Sequence, residues 1–231
     1  LAAALACLLG PVRAADAPDY IGSDSCAGCH RPEAEAWRGS HHALAWTPAE
    51  AANITGDFDV PPFEHDGTVT QFSHEGGRYV IDVTEKDGSR RAYPVHSVVG
   101  TAPLQQYLLE VEEGRLQSFD VVWDTEKGEW FHLYPDQDLP PDDGLHWTGP
   151  YKNWNARCAE CHATGYEKNY LPATRSYASV QAEIGVGCEA CHGPGSAHVA
   201  GVHGNPVPEG LTQAGFTMEF ASTGAGSEQC A

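Results

Sequence analysis

Three segments of the chain repeat one spacing of thiols and imidazole: Cys26-Ala27-Gly28-Cys29-His30, Cys158-Ala159-Glu160-Cys161-His162 and Cys188-Glu189-Ala190-Cys191-His192. Each is C-x-x-C-H, the attachment pattern of c-type haem. The chemistry sets the spacing. Two thiols must reach the two vinyl groups on one edge of a porphyrin and form thioethers. The His directly after the second Cys then turns beneath the ring and ligates its iron. Cys7 and Cys230 complete the eight cysteines. Cys230-Ala231 reads as the first half of a fourth such motif. The expected cofactor is therefore haem c, three within the chain and a fourth beginning at Cys230. A zinc ribbon built on the pairs at 158 and 188 would leave the pair at 26 and all three following His unexplained. Disulfides inside each pair would leave the repeated His without a role. A thioredoxin-like dithiol would need a βαβ frame that the pattern lacks.

With His30, His162 and His192 as proximal ligands, nine His and one Met, Met218, remain for the opposite side of each iron. Histidine on both sides is the expectation, because Met can serve at most one haem. His41 or His42 is carried on an expected helix beside Trp37 and Trp46. His198 follows the tight Gly193-Pro194-Gly195 loop after the third motif. His146 precedes Trp147 and a Gly-Pro turn close to the second. His65 and His74 sit near hairpin turns and read as solvated. His96 and His132 fall in expected strands and read as packing residues.

Several elements must position these groups. Residues 18–56 form a first haem segment. Arg31-Pro32-Glu33 starts a helix with Pro in its first turn, and helical spacing continues to Trp46. Residues 57–134 change character. Asp66-Gly67, Gly76-Gly77, Asp87-Gly88, Glu113-Gly114 and Lys127-Gly128 punctuate runs of β-branched and aromatic residues at 68–72, 79–83, 93–99, 105–111, 116–122 and 130–133. That predicts a β-hairpin meander without cysteine. Residues 135–231 return to loops around motifs two and three, with short helical pieces expected over 166–175 and 179–183. The fold class predicted is α+β: a loop-rich multihaem lobe of short helices with a β-meander insertion. With so little apolar helix, the porphyrins themselves would supply much of the lobe's core.

The chain has 231 residues, with 13 basic against 32 acidic side chains and a formal net charge of −19. Such a surface repels phosphate backbones, so nucleic acid is excluded as a partner. It also opposes the addition of electrons. No stretch is long enough to span a membrane. The apolar run from Leu1 to Leu9, followed by Gly10, Pro11 and the small residues Ala14, Ala15 and Ala17, reads as a signal peptide over residues 1–17. That sends the protein to the periplasm or the cell exterior. A lipid anchor at Cys7 is the weaker reading, because the apolar run continues past it. Gly185-x-Gly187-x-x-Ala190 mimics a dinucleotide fingerprint but overlaps a haem motif and has no βαβ frame. The acidic runs 110–113 and 136–143 read as solvated faces, with docking of a basic redox partner as the alternative.

Cys26–His30 with Trp37-x-x-Ser40-x-His42, then Phe131-His132-Leu133-Tyr134-Pro135, His146-Trp147-Thr148-Gly149, Asn153-Trp154-Asn155 and Gly187-Cys188-Glu189-x-Cys191-His192-Gly193-Pro194-Gly195-Ser196-x-His198 resemble a family of exported multihaem c-type cytochromes. That family is related to the tetrahaem cytochromes that take electrons from hydroxylamine oxidoreductase, and many members carry tetratricopeptide repeats after the haem part. The resemblance implies that the Ser-x-His segment supplies a distal ligand, which selects His42 over His41. It also supports His146 and His198 as distal ligands and a fourth haem at Cys230. The function expected is electron transfer between redox partner proteins, other cytochromes or a periplasmic oxidoreductase, with no catalytic residue. The alternative is an oxidoreductase acting on a small nitrogen or sulfur compound at a haem with an open position.

Overall fold

The computed structural model describes residues 17–218. The expected signal segment up to residue 16, Cys7 and Cys230 lie outside the described residues. In chain order the elements are α1 (Ser23–Ala27), α2 (Arg31–Arg38), β1 (Thr47–Pro48), β2 (Phe63–His65), β3 (Thr68–Glu75), β4 (Arg78–Thr84), β5 (Arg90–Val99), β6 (Leu104–Glu112), β7 (Arg115–Ser118), β8 (Val121–Asp124) and β9 (Glu129–His132). Then follow α3 (Trp154–Arg157), α4 (Ala159–His162), β10 (Ala163–Thr164), β11 (Tyr170–Leu171), β12 (Ser176–Tyr177), β13 (Glu183–Ile184), α5 (Cys188–His192) and α6 (Ser196–Val202). The protein is α+β, with short helices around an antiparallel meander.

The meander runs β2-β3-β4-β5-β6-β8-β9, with β1 added beside β5 and β7 beside β6. Gly76 and Gly77 both take positive φ (56° and 81°) at the β3–β4 turn, the backbone sign that a tight hairpin needs. The run 116–122 is two strands rather than one. β7 pairs with the far half of β6 and β8 with its near end, and the break lets Phe119 enter the core. The ends of the strand path approach each other. His65 on β2 stacks on His132 of β9 at 4.4 Å between ring centroids, so the sheet is nearly closed and His65 is packed rather than solvated.

Alternation along β6 sends its side chains to two sides. Tyr107, Leu109 and Val111 join Phe58, Phe72, Trp130 and Trp147 in the larger core. Leu108, between them, joins Trp46, Leu116, Trp154, Ala159 and Ala163 on the other face. The second face therefore carries the helices of motif two.

Three expected helical pieces take other forms. The helix begun at Arg31 ends at Arg38, where Gly39 caps it. Residues 40–45 are turns closed by the Ser40 hydroxyl, which accepts from the Ala43 N–H at 3.3 Å. The break frees Trp46 to reach the sheet, where its indole N–H donates to the Ser97 hydroxyl at 2.7 Å. The piece expected as helix over 166–175 instead holds β11, which pairs with β12 just after it, and the piece over 179–183 leads into β13, which pairs with β10. Tyr170 and Tyr177 face each other across that hairpin at 5.0 Å, a cross-strand aromatic contact that helical spacing does not reveal.

Candidate haem-binding sites

Motif one straddles α1 and the turn before α2, and motif three forms α5. An acidic and hydroxyl network laces the two. Ser23 donates its hydroxyl to Glu183 at 2.8 Å and accepts from the Cys188 N–H at 3.0 Å. Glu189 accepts from the Ile21 and Gly22 N–H groups at 2.9 and 2.7 Å. The first cysteines of the two motifs are thereby brought together. Burial, then Cys188, then the Glu189 charge push the Cys26 thiol up to about 11. Burial, and next the nearby His30, hold the His192 imidazole below its usual range.

Between these motifs lies a cleft lined by Cys26, His30, Trp37, His42, Cys188 and His192, among others. The His42 turn is fastened to the segment leading into motif three. Its carbonyl accepts from Val186 N–H at 3.0 Å, and the Trp37 indole donates to the Val186 carbonyl at 2.8 Å. Gly185 has φ +81°, and a β-carbon there would stand 2.8 Å from the Ala43 carbonyl oxygen, so the two segments close on each other only at glycine. Of the adjacent pair His41 and His42, it is His42 that lines the cleft.

Gly193 takes φ +82° and turns the chain from α5 into α6. The turn carries His198 across to motif one, with its ring centroid 6.2 Å from that of His30 and the planes tilted 36°. The His198 Nδ1–H donates to the Ala214 carbonyl at 2.7 Å, and Phe216 stacks on the ring at 4.6 Å. Phe216 also meets His192 at 5.7 Å.

Motif two sits apart, on α3 and α4. Asn153 caps α3 by accepting from Ala156 N–H at 2.9 Å, and Asn155 accepts from Leu116 N–H at 2.8 Å, so the motif is tied to β7. The His162 Nδ1–H donates to the Ala45 carbonyl at 3.0 Å. Its ring meets the edge of Trp154 at 5.0 Å, and Trp154 meets Trp46 at 5.3 Å. Burial, then the neighbouring Cys161, raise the Cys158 thiol.

His146 is not brought to motif two. Its Nδ1 lies 2.8 Å from the Thr148 hydroxyl, its Nε2 lies 3.7 Å from the Glu85 carboxylate, and it shares a cavity with His65 and His132. The next residue, Trp147, belongs to the larger core, on the opposite face from Trp154. Residues 147–153 pass around the edge of β7, held by Gln117, which donates to the Trp147 and Gly149 carbonyls at 2.9 and 2.8 Å. Nearness in sequence is thus converted into separation by the sheet.

Two features of the histidines test whether these groups fit haem iron. A metal-ligating His commonly donates its other ring N–H to a backbone carbonyl, which fixes the tautomer. His162 and His198 both do so through Nδ1, leaving Nε2 as the nitrogen for iron. A metal–imidazole bond of about 2 Å, plus about 1.1 Å from nitrogen to ring centre, places two imidazoles on one metal about 6.2 Å apart between centroids. The His30–His198 separation of 6.2 Å fits that arrangement. His146, with a protein partner at each nitrogen, does not show this pattern. The residues that sequence reasoning passed over are Glu183, Glu189 and Phe216. Of these, only Glu189 carried a signal, a carboxylate inside a C-x-x-C.

Residues 25–59 and 145–193, which carry the three motifs and His42, match the Cytochrome c554 and c-prime family. No curated protein sequence matches the chain. Among solved structures, the outer cell wall cytochrome OcwA superposes with a TM-score of 0.54 at 18% identity, covering 91% of this chain and 36% of that one. The undecahaem cytochrome from the S-layer of Carboxydothermus ferrireducens superposes at 0.52 and 18% identity, covering 95% and 26%. The fold is that of multihaem cytochromes. The chain spans about a third and about a quarter of the lengths of those two proteins. No helix among the described residues is long and apolar enough to cross a membrane.

Proposed function

We propose that this protein is an extracytoplasmic multihaem c-type cytochrome that carries electrons between redox partner proteins. The observation that carries the reading is the convergence of two C-x-x-C-H motifs on one cleft, with His198 set 6.2 Å from His30. Cys26 and Cys29, Cys158 and Cys161, and Cys188 and Cys191 would bind the porphyrins, with His30, His162 and His192 as proximal ligands. Haem bound there supplies reversible one-electron chemistry at iron. The protein's own part is to hold and exclude. His198 would hold iron together with His30, and His42, which lines the same cleft, would do so with His192. Phe216 packs on His198 and His192, and the Ala45 and Ala214 carbonyls fix the tautomers of His162 and His198. The closeness of Cys26 to Cys188 would attach the haems of motifs one and three near each other. The outer-wall and S-layer settings of the two similar structures support a place outside the cytoplasm, and the signal-like segment before residue 18 agrees.

A second reading, an oxidoreductase with an open haem, has one observation in its favour. Among the described residues the ring packed on His162 is Trp154, and His146 faces the other side of the sheet. Protein produced with cytochrome c maturation factors separates the two readings. Electron transfer predicts an intact mass increased by one haem per motif and a wholly low-spin spectrum. An oxidoreductase predicts a high-spin fraction that shifts on adding nitrite, hydroxylamine or sulfite. Colourless protein of unmodified mass rejects both.

A further inference from the structure

Glu189 stands between the two cysteines of motif three, a place where haem attachment calls for no particular side chain. It is 2% exposed. One carboxylate oxygen accepts from Ile21 N–H at 2.9 Å and Gly195 N–H at 2.7 Å, and the other from Gly22 N–H at 2.7 Å and Ile21 N–H at 3.1 Å. All three of these partners are donors, so both carboxylate oxygens serve as acceptors. The ion pairs among the described residues do not include it. Buried carboxylates are ordinarily paired with a cation. This one is retained beside Cys188 and is bonded to the Ile21 and Gly22 N–H groups that lead into motif one.

We infer that Glu189 is a potential-setting residue for the haems of motifs one and three. It is a fixed buried charge that weakens their hold on an electron. The inference rests on the multihaem reading above. Reduction of a ferric haem takes up one electron and adds one negative charge to its site, and Glu189 opposes that charge without touching iron. At an effective dielectric of about 20 and a separation on the order of 10 Å, the opposition is about tenfold in the equilibrium constant for reduction. For one electron that is about 59 mV. Exposed acids contribute less because water and salt screen them. Motif two, tied to β7, makes none of these contacts with Glu189.

The test is an optical redox titration of haem-loaded protein between dithionite and ferricyanide with mediators. Glu189→Gln should move two of three reduction waves upward by about tenfold in the reduction constant, leaving the third in place. Glu189→Asp, which keeps the charge, should titrate like wild type, and so should the exposed-site control Glu35→Gln. Unmoved waves in Glu189→Gln overturn the inference, as does an Asp variant that shifts as far as the Gln one, since that would make the role one of packing. Should Glu189→Gln fail to take up haem, wild-type protein decides. Salt at about 1 M screens the surface but not a buried charge, so two haems should stay lower than the third. A gap that closes with salt overturns the inference. Wild-type protein without covalent haem would instead defeat the underlying functional reading.

Discussion

Removing the His198 imidazole is the sharpest perturbation of the proposed centres. The ring lies 6.2 Å from His30, stacked on Phe216 and anchored through Nδ1 to Ala214. Under the proposed function, replacement by alanine would remove one of the two imidazoles offered to one iron while leaving the Phe216 wall and the cysteines untouched. With three motifs in the chain, about one third of the haem should pass from low to high spin, since a ferric haem with a single imidazole loses the strong field of the second. Electron paramagnetic resonance and the visible charge-transfer band measure that fraction directly. Free imidazole should enter the vacated space and restore the low-spin signal. A His198→Ala protein with all haems still low-spin would refute the pairing with His30, and so would a change confined to the haem of motif three.

The other expectations follow from separate contacts. His42→Ala should convert a different third of the haem, and His41→Ala none, as read by the same resonance signals. His146→Ala should leave the haem spectrum unchanged, because that ring is held at Glu85 and Thr148; a shifted Soret band would show that it reaches motif two. Burial pushes the Glu85 carboxyl up, but the nearby His146 and a hydrogen bond from Trp147 outweigh burial and hold it below its usual 4.5. Its stabilisation is therefore present at neutral pH and lost as pH falls through the lowered folded value, so Glu85→Gln should cost about 1 kcal/mol at pH 7 and nothing in strong acid, measured by urea unfolding at each pH. Leu109, wholly buried in the larger core, should cost about 2–5 kcal/mol when cut to alanine.

Much was legible before any fold was in view. Three C-x-x-C-H spacings are local chemistry, since two thiols and an imidazole within five residues suffice to define an attachment site. The hairpins were legible too, because Gly-Gly, Asp-Gly and Glu-Gly mark turns and alternation marks strands. Less local features were harder. Helical spacing continued past Arg38, yet Trp46 has a partner at Ser97, 51 residues on, which it reaches only because the chain breaks at Gly39. The run 116–122 looked like one strand because no turn residue divides it; only its two partners on β6 do.

By itself, then, the order of residues determined which groups could grip porphyrin and which stretch would be sheet, since both depend on neighbours a few bonds apart. Which imidazole faces which motif was decided by the tertiary structure alone. Gly193 swings His198 over to motif one, Gly185 admits the His42 turn beside motif three, and the edge of β7 divides His146 from His162. Ligand pairing and the burial of Glu189 depend on distances through space between segments up to 168 residues apart, and no spacing along the chain encodes those.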